Sequence, residues 1–375
     1  MKILLTGGGS GGHFYPVIAV AEALKDLQKE QHIVKPTLYY MAPEPYNKRL
    51  LFDNEIIFKK NPTGKLRRYF SLLNISDTFK TFWGVLKAVW TIFYIYPDAV
   101  FSKGGYGSFP AVFAAKLFRI PVIIHESDSV PGKTNLWAGK FAKRVAVSWP
   151  ESAEYFPKEK VAFTGNPIRK SILQPIEDGA KKILKLEDNL PVVLVLGGSL
   201  GAQKINDTII DSLPEILEFC QIIHQTGKGG LKDAKSRASA ILYNSEKESR
   251  YKVFDYLNDE AMRMAAGVAD LVVSRAGSTI FEIANWSKPS IIIPISKSNG
   301  DHQRKNAYGY ARSGACIVIE EPNLNANILT SEIKNLLADN DKLQTMSQAA
   351  QKFSRKDAAK VIAQEIFNIA LGHEK

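Results

Sequence analysis

The stretch "KILLTGGGSGGHFYP", residues 2–16, sets five glycines between an apolar run and a helical pattern. A second stretch, "PVVLVLGGSLGAQKIN", residues 191–206, repeats that order. An apolar strand, a bend of bare backbone and a helix form the opening of a parallel α/β unit. Two openings in 375 residues predict two domains, because one domain takes roughly 100–200 residues. Around them, short apolar strands alternate with helical patterns. "PTLYYM", "DAVFS", "PVIIHE" and "RVAVS" read as strands in the first half. "QIIHQTG", "YKVFDYL", "DLVVSRAG", "PSIIIPI" and "ACIVIE" do so in the second. Such alternation predicts an α/β fold, with parallel sheets covered by helices on both faces. The first helix is expected from about Pro16 to Lys29, because proline is favoured at a helix start. Residues 328–371 read as helical. The pattern restarts after "VAFTGNPIRK". That gives one Rossmann-like domain over 1–164 and a second over 165–355, with the terminal segment 356–375 apart.

Charge narrows the partners. The net charge is +11 and the sequence pI near 9.3, which suits an anionic partner: nucleic acid, a lipid surface or a phosphorylated substrate. No nucleic-acid motif accompanies it, so nucleic acid is not expected. Cys220 and Cys316 lie far apart in apolar surroundings; they form neither a disulfide framework nor a zinc spacing, and a reducing cytosol is expected. Glycines interrupt the first apolar run too soon for a signal peptide. The longest apolar stretch, Thr81 to Pro97, is interrupted by Lys87 and is short of the about 20 residues that a bilayer span needs.

The first glycine turn fits the dinucleotide spacing with Gly7, Gly9 and Gly12. Such a turn lets backbone approach an anion, and the following helix adds amides and positive potential. The bland alternative is a tight turn with no ligand. A dinucleotide would also need an acid ending the second strand, and "LYYMAPEP" offers only Glu44, after a proline. His13 stands at the helix entrance, where the helix dipole favours the neutral imidazole; it is either a general base beside an anion cradle or a loop hydrogen-bond partner. Ser199 and the amides around Gly201 form a second candidate cradle for a diphosphate. In "SRAGSTIFE", Ser278 and Thr279 are placed to cap a helix, and Glu282 one turn in could accept both protons of a ribose diol. A plain helix start explains the same residues. "DHQRKNA", residues 301–307, carries side chains suited to sugar hydroxyls or to a solvated first turn. No H-E-x-x-H, C-x-x-C or D-x-D metal pattern occurs.

Residues 59–96 differ from the rest. Lys59, Lys60, Lys65, Arg67 and Arg68 precede a helix with Phe79, Phe82, Trp83, Leu86, Trp90 and Phe93. The apolar positions wrap too far round the helix for one core face. A basic rim beside exposed aromatics suits an anionic membrane surface, reached through Lys65, Arg67, Arg68, Trp83, Trp90 and Phe93. A buried helix after a solvated basic loop is the alternative.

Taken together, "GGGSGGHFYP", "KGGYGSFPA", "HESDSVPGKTN", "TGNPIR", "GGSLGAQKIN", "HQTGK", "ADLVVSRAGSTIFE" and "DHQRKNA" resemble, in order and over nearly the whole chain, the N-acetylglucosaminyltransferases of glycosyltransferase family 28. The resemblance implies a GT-B fold: two Rossmann-like domains facing a central cleft, with the last helix returning to the N-terminal domain. It implies UDP-N-acetylglucosamine as donor and lipid I as acceptor, with lipid II formed in peptidoglycan synthesis. The implied place is peripheral, on the cytoplasmic face of the plasma membrane.

By the same resemblance, Ser10, Gly11 and Gly12 are donor contacts, and Arg169 lies near the donor diphosphate with Ser199. Leu257 offers backbone to the uracil; Ser278, Thr279 and Glu282 hold uridine; Gln303 binds the sugar. Gly104, Gly105, Tyr106 and His125 fall on the acceptor side. The family usually reads His-Glu-Gln-Asn where this chain has His125, Glu126, Ser127 and Asp128, so Asp128 replaces an asparagine that approaches the sugars. The "RAGSTIFE" loop is one residue shorter than in many relatives. The expected reaction is inverting. His13 is the first candidate for general base and Asp128 the second. No cofactor is required, and a divalent cation at most stimulates. The alternatives are a GT-B enzyme with another lipid acceptor, a nicotinamide oxidoreductase, and a non-catalytic nucleotide-sugar binder at the membrane.

Overall fold

A computed structural model describes residues 1–64, 73–198 and 201–373. The chain forms two compact units, residues 1–169 with 355–375, and residues 170–354.

In the first unit the strands are β1 (Lys2–Thr6), β2 (Thr37–Ala42), β3 (Ile57–Lys60), β4 (Ala99–Ser102), β5 (Val122–Glu126), β6 (Arg144–Val147) and β7 (Val161–Phe163). They form one sheet in the order β3-β2-β1-β4-β5-β6-β7, with every neighbouring pair parallel. Helices α1 (Gly11–Glu30), α2 (Lys48–Asp53), α3 (Leu73–Ile95), α4 (Phe109–Leu117) and α5 (Lys133–Gly139) make connections. β1, β4 and β5 are almost wholly buried because helices cover both faces.

The second unit repeats the plan. After α6 (Ala180–Ile183) come β8 (Val192–Leu196), α7 (Gln203–Ile216), β9 (Gln221–Gln225), α8 (Leu231–Ile241), β10 (Tyr251–Phe254), α9 (Asp259–Val268), β11 (Leu271–Ser274), α10 (Thr279–Asn285), β12 (Ser290–Ile292), α11 (His302–Ala311), β13 (Cys316–Val318), α12 (Ala326–Leu337) and α13 (Asn340–Phe353). The sheet order is β10-β9-β8-β11-β12-β13. In both sheets the chain winds outward one way from the first strand, then crosses back and winds the other way. The reversal falls between β1 and β4, and between β8 and β11. Ligands of doubly wound sheets bind outside the strand ends at that point.

Two helix limits differ from expectation. α1 begins at Gly11, directly after Ser10, and carries Pro16 inside it. The glycines let the helix start within the bend, so the proline costs one backbone hydrogen bond rather than marking the start. The C-terminal helical run is three helices. Asp339 breaks it by accepting from the Lys342 N–H as the cap of α13, and the last helix, α14 (Ala358–His373), follows a break after Phe353. α14 belongs to the first unit. Its Ile362, Ala363, Ile366, Phe367 and Ala370 are buried with Val17, Leu24 and other α1 side chains in one apolar cluster. Phe367→Ala should therefore cost the first unit about 3–5 kcal/mol. Urea unfolding followed with a probe in each unit should show the first transition moved down and the second unmoved.

Candidate active site

At the first unit's switch point two glycine bends meet. The Gly8 N–H donates to the Gly104 carbonyl at 3.0 Å. A Cβ on Gly8 would lie 3.0 Å from the Gly107 nitrogen and 3.1 Å from Gly105 Cα, so any side chain there would push the bends apart. Gly104 and Gly105 have φ of +82° and +81°, a left-handed conformation that glycine takes without strain. Ser10 precedes α1 with extended angles and makes no side-chain cap bond. Its Oγ instead lies 2.9 Å from His13 Nδ1. A Cβ on Gly105 would lie 3.1 Å from His13 Nε2, so the ring faces the second bend. A Cβ on Gly9 would collide with the Tyr106 hydroxyl, which places Tyr106 over the first bend. Burial, and then Glu44 and Asp77, push the Tyr106 phenol up. Ser10, Gly11, Gly12, His13, Gly104, Gly105 and Tyr106 are thus brought together.

The end of β5 supplies the neighbouring wall. Glu126 accepts from the Asp128 N–H at 3.0 Å, the Gly132 N–H at 3.0 Å and Asn135 Nδ2 at 2.9 Å. These bonds shape the bend that presents half-buried Asp128. Burial, with Asp128 nearby, raises the Glu126 carboxyl above the usual range, against those donors and Lys103. His125 departs from its expected acceptor-side place. It is 0% exposed, and its Nε2 lies 3.0 Å from the Gly165 carbonyl oxygen and 3.2 Å from Ser148 Oγ. Burial, then the Lys103 charge, hold its pKa well below the ordinary value. The enclosed ring ties β5 to Gly165. Arg169 closes the first unit, buried, with its guanidinium 3.9 Å from the centroid of the Tyr15 ring. β2 ends at Ala42, and Glu44 follows Pro43 in a bend, so no acid occupies the strand end where a dinucleotide ribose would look for one.

The second unit has its own switch-point bend. Gly198 and Gly201 have φ of +75° and +79°, and a Cβ on Gly201 would lie 2.8 Å from the Thr226 carbonyl oxygen. Ser199 lies outside the described residues. Beneath the bend, Asn206 Nδ2 donates to the Thr226 carbonyl at 3.0 Å, so its Oδ1 accepts from His224 Nε2–H, also at 3.0 Å. His224 Nδ1 then accepts from the Tyr251 hydroxyl at 2.9 Å. Burial pulls His224 down to about 3, so the ring is neutral and Nδ1 is free to accept.

Leu257 is buried and its N–H is taken by Gln225 Oε1 at 2.9 Å. Ser278 has helical angles (φ −61°, ψ −17°) and makes no capping bond, against the expected cap; a capping side chain needs extended backbone to turn back on the helix. Thr279 opens α10, with Glu282 in its first turn. Gln303 Oε1 accepts from the Ile295 N–H at 3.1 Å, and Asn306 Nδ2 donates to the Ala276 carbonyl at 3.1 Å. That bond ties α11 to the loop that carries Ser278. Among the described residues no group of three or more His, Cys, Asp or Glu side chains could hold a metal ion.

Lys103, Glu126, Asn135, Asn206, His224 and Asn306 shape these bends, and motif reading assigned them no role. The available signal was a polar side chain at the end of an apolar strand or in a helix's first turns.

Two doubly wound parallel sheets, each with a glycine bend at its switch point, define the class: a Rossmann-type α/β protein of the GT-B architecture. The glycosyltransferase family 28 N-terminal domain matches residues 3–147 and its C-terminal domain matches residues 192–362. The chain belongs to glycosyltransferase family 28. It is 39% identical over 97% of its length, and 99% of the relative's, to the UDP-N-acetylglucosamine–N-acetylmuramyl-(pentapeptide) pyrophosphoryl-undecaprenol N-acetylglucosamine transferase 2 of Bacillus cereus. It is 39% identical to the corresponding transferase of Clostridium novyi, over 91% of this chain and 92% of the relative. The crystal structure of Acinetobacter baumannii MurG superposes with a TM-score of 0.72 at 26% identity, covering 98% of this chain and 99% of that one. UDP-GlcNAc 2-epimerase of Neisseria meningitidis shares the fold alone, at a TM-score of 0.67 and 15% identity, over 98% of this chain and 100% of that one.

The His224 network predicts a pH dependence. The unfolded ring has an ordinary pKa near 6.5 and the folded ring one of about 3, so the unfolded state binds the extra proton between them. Stability from this group is full above about 6.5 and falls by roughly 1.4 kcal/mol per pH unit below it. Urea midpoints of the second unit should drop between pH 6.5 and 4, and His224→Gln should flatten that slope.

Proposed function

We propose that the chain transfers N-acetylglucosamine from UDP-N-acetylglucosamine to the 4-hydroxyl of the muramoyl sugar of lipid I, giving lipid II for peptidoglycan. The observation that carries this reading is the end-to-end likeness to the Bacillus cereus transferase. The hydroxyl oxygen attacks the anomeric carbon as the bond to UDP breaks on the opposite face, so the configuration inverts. The hydroxyl proton passes to a base, for which His13 is the assignment and Asp128 the second candidate. The first bend would then cradle sugar and diphosphate, with Tyr106 beside it.

The Ser10–His13 contact sets a condition on that role. For Nε2 to take a proton, Nδ1 must carry the ring hydrogen and donate it to Ser10 Oγ, 2.9 Å away. The serine hydroxyl can donate or accept, so it orients the ring in either tautomer, and Ser10 is a positioning residue. Amides around Gly197 and Gly201 would meet negative charge growing on the departing UDP, and Arg169, the residue that the family resemblance assigns to the donor diphosphate, is held flat by the Tyr15 ring. Thr279, Glu282, Gln303 and the Leu257 backbone would hold the uridine and the sugar. In this reading no metal is needed, and a divalent cation only stimulates.

The acceptor's lipid requires a membrane, and α3 offers a face for one. Ile75, Phe79, Phe82, Trp83, Leu86, Trp90, Phe93 and Tyr94 are all exposed, while Ala88 and Ile92 turn to the core. Apart from the adjacent pairs Phe82–Trp83 and Phe93–Tyr94, the exposed positions advance by three or four residues, and all form one apolar stripe, a pattern that suits the interface rather than water. Among the described residues no helix is long and apolar enough to cross a membrane. The reading is peripheral attachment to the cytoplasmic leaflet. Lys65, Arg67 and Arg68, expected to meet its anionic headgroups, lie outside the described residues.

Radiolabelled transfer from UDP-N-acetylglucosamine, measured with lipid I and with diacylglycerol in excess chelator, tests the reaction. Product should form on lipid I alone, and product only on diacylglycerol would refute the acceptor. His13→Ala should lower kcat by about 10²–10⁴-fold. Ser10→Ala should lower it by about 2–10-fold, the value of one hydrogen bond. Serine in place of Trp83, Trp90 and Phe93 together should reduce flotation with vesicles containing anionic lipid and leave UDP affinity unchanged; equal flotation would remove α3 as the membrane face.

A further inference from the structure

We propose that Lys103 is the buried counter-charge of the Glu126–Asp128 bend, a positioning residue that lets this loop carry a second carboxylate beside Glu126. The inference rests on the reading of Asp128 as a residue of the acceptor site.

Lys103 follows β4, which pairs with β5 in the register Ser102↔Ile124. The residue therefore leaves the sheet beside His125, one position short of Glu126. Its N–H donates to the Thr6 carbonyl at 2.9 Å, and a Cβ on Gly7 would stand 3.4 Å from Lys103 Cβ. Lys103 thus lies between the first glycine bend and the end of β5, at the floor of the switch point. It is 1% exposed, and among the described residues its Nζ has no hydrogen-bond partner.

A buried ammonium without hydrogen bonds is costly by several kcal/mol unless charges nearby balance it. Glu126 and Asp128 supply them: both favour the charged lysine, against burial, which pulls it down to about 8. The balance works in both directions. Glu126 is 4% exposed and stands two residues from a second carboxylate. Two carboxylates in one site cannot both ionise cheaply, and one takes up a proton when no cation is near. An asparagine at position 128 raises no such conflict and needs no cation. The lysine after β4 and the aspartate after β5 therefore form one electrostatic unit, assembled from two strands that neighbour each other only in the sheet.

A double-mutant cycle tests this with the full chain: wild type, Lys103→Met, Asp128→Asn and the double variant, each assayed for kcat/KM toward lipid I and for its thermal midpoint. Lys103→Met in the wild-type background should lower kcat/KM by about tenfold or more, and in the Asp128→Asn background by less than about threefold. A Lys103→Met protein that fails to fold, while the double variant folds, supports the same coupling. Equal losses in both backgrounds, no loss in either, or failure to fold in both would overturn it. The midpoints read the coupling with no acceptor present, so a wrong acceptor would show in the transfer assay and leave the cycle interpretable.

Discussion

The reversal of strand order beside β1 and beside β8 is the constraint on which the rest of the molecule depends. Parallel neighbours leave the sheet in opposite directions there, so no crossover helix covers the gap between their ends. Backbone must fill it, and backbone amides near a helix start are the groups that attract an anion. In the first unit the two bends touch through Gly8 N–H and the Gly104 carbonyl. In the second, the bend at Gly201 presses on the Thr226 carbonyl. Side chains in those places would replace amide with hydrocarbon, which is why glycine recurs at both openings of the sequence.

What could be read from the sequence follows from how local each signal is. A strand, a glycine bend and a helix occupy about 15 consecutive residues, and both openings fell where the pattern put them. Burial within the central strands was not legible. β5 reads "VIIHE" and every one of its residues is buried. A strand covered on both faces has no alternation to separate inside from outside. The family resemblance put His125 on the acceptor side, and nothing in the strand's own sequence shows that its ring is enclosed against Gly165 and Ser148. Lys103 is a second case. Nothing in a lysine after "AVFS" signals burial, yet in the folded unit it is 1% exposed. Ser278 was misplaced by a finer detail, since a Ser-Thr pair before an apolar run signals a cap but does not fix the backbone angles that a cap needs.

α3 shows the same limit from the surface. Its apolar positions wrap too far round for one core face, but the sequence does not say which of them face inward. Ala88 and Ile92 do face the core. The inner face is made of small and branched side chains, and the outer stripe takes the large aromatics, with Trp90 and Tyr94 stacked at 6.0 Å. Size thus separates the two faces where polarity does not. Large amphipathic rings suit a boundary between hydrocarbon and water, and they would be wasteful in a helix held only by its sheet.

The two units fix equivalent bends by different electrostatic means, and the difference has consequences. Below the second unit's bend, Asn206, His224 and Tyr251 form a chain of neutral hydrogen bonds. Each polar atom in that chain has one partner, and no net charge is buried. Beside the first unit's bend, a carboxylate gathers three N–H donors. Charge-assisted bonds are roughly twice as strong as neutral ones, so this bend is held more firmly. The same choice buries a charge, and a charge at low dielectric must be balanced within a few ångströms. A neutral neighbour at position 128 would leave the donors alone to do so. With a second carboxylate there, the donors no longer suffice, and the ammonium of Lys103 becomes part of the bend. The firmness of the first site and its need for an interior cation are therefore one property, set by the choice of Glu126 to anchor the loop.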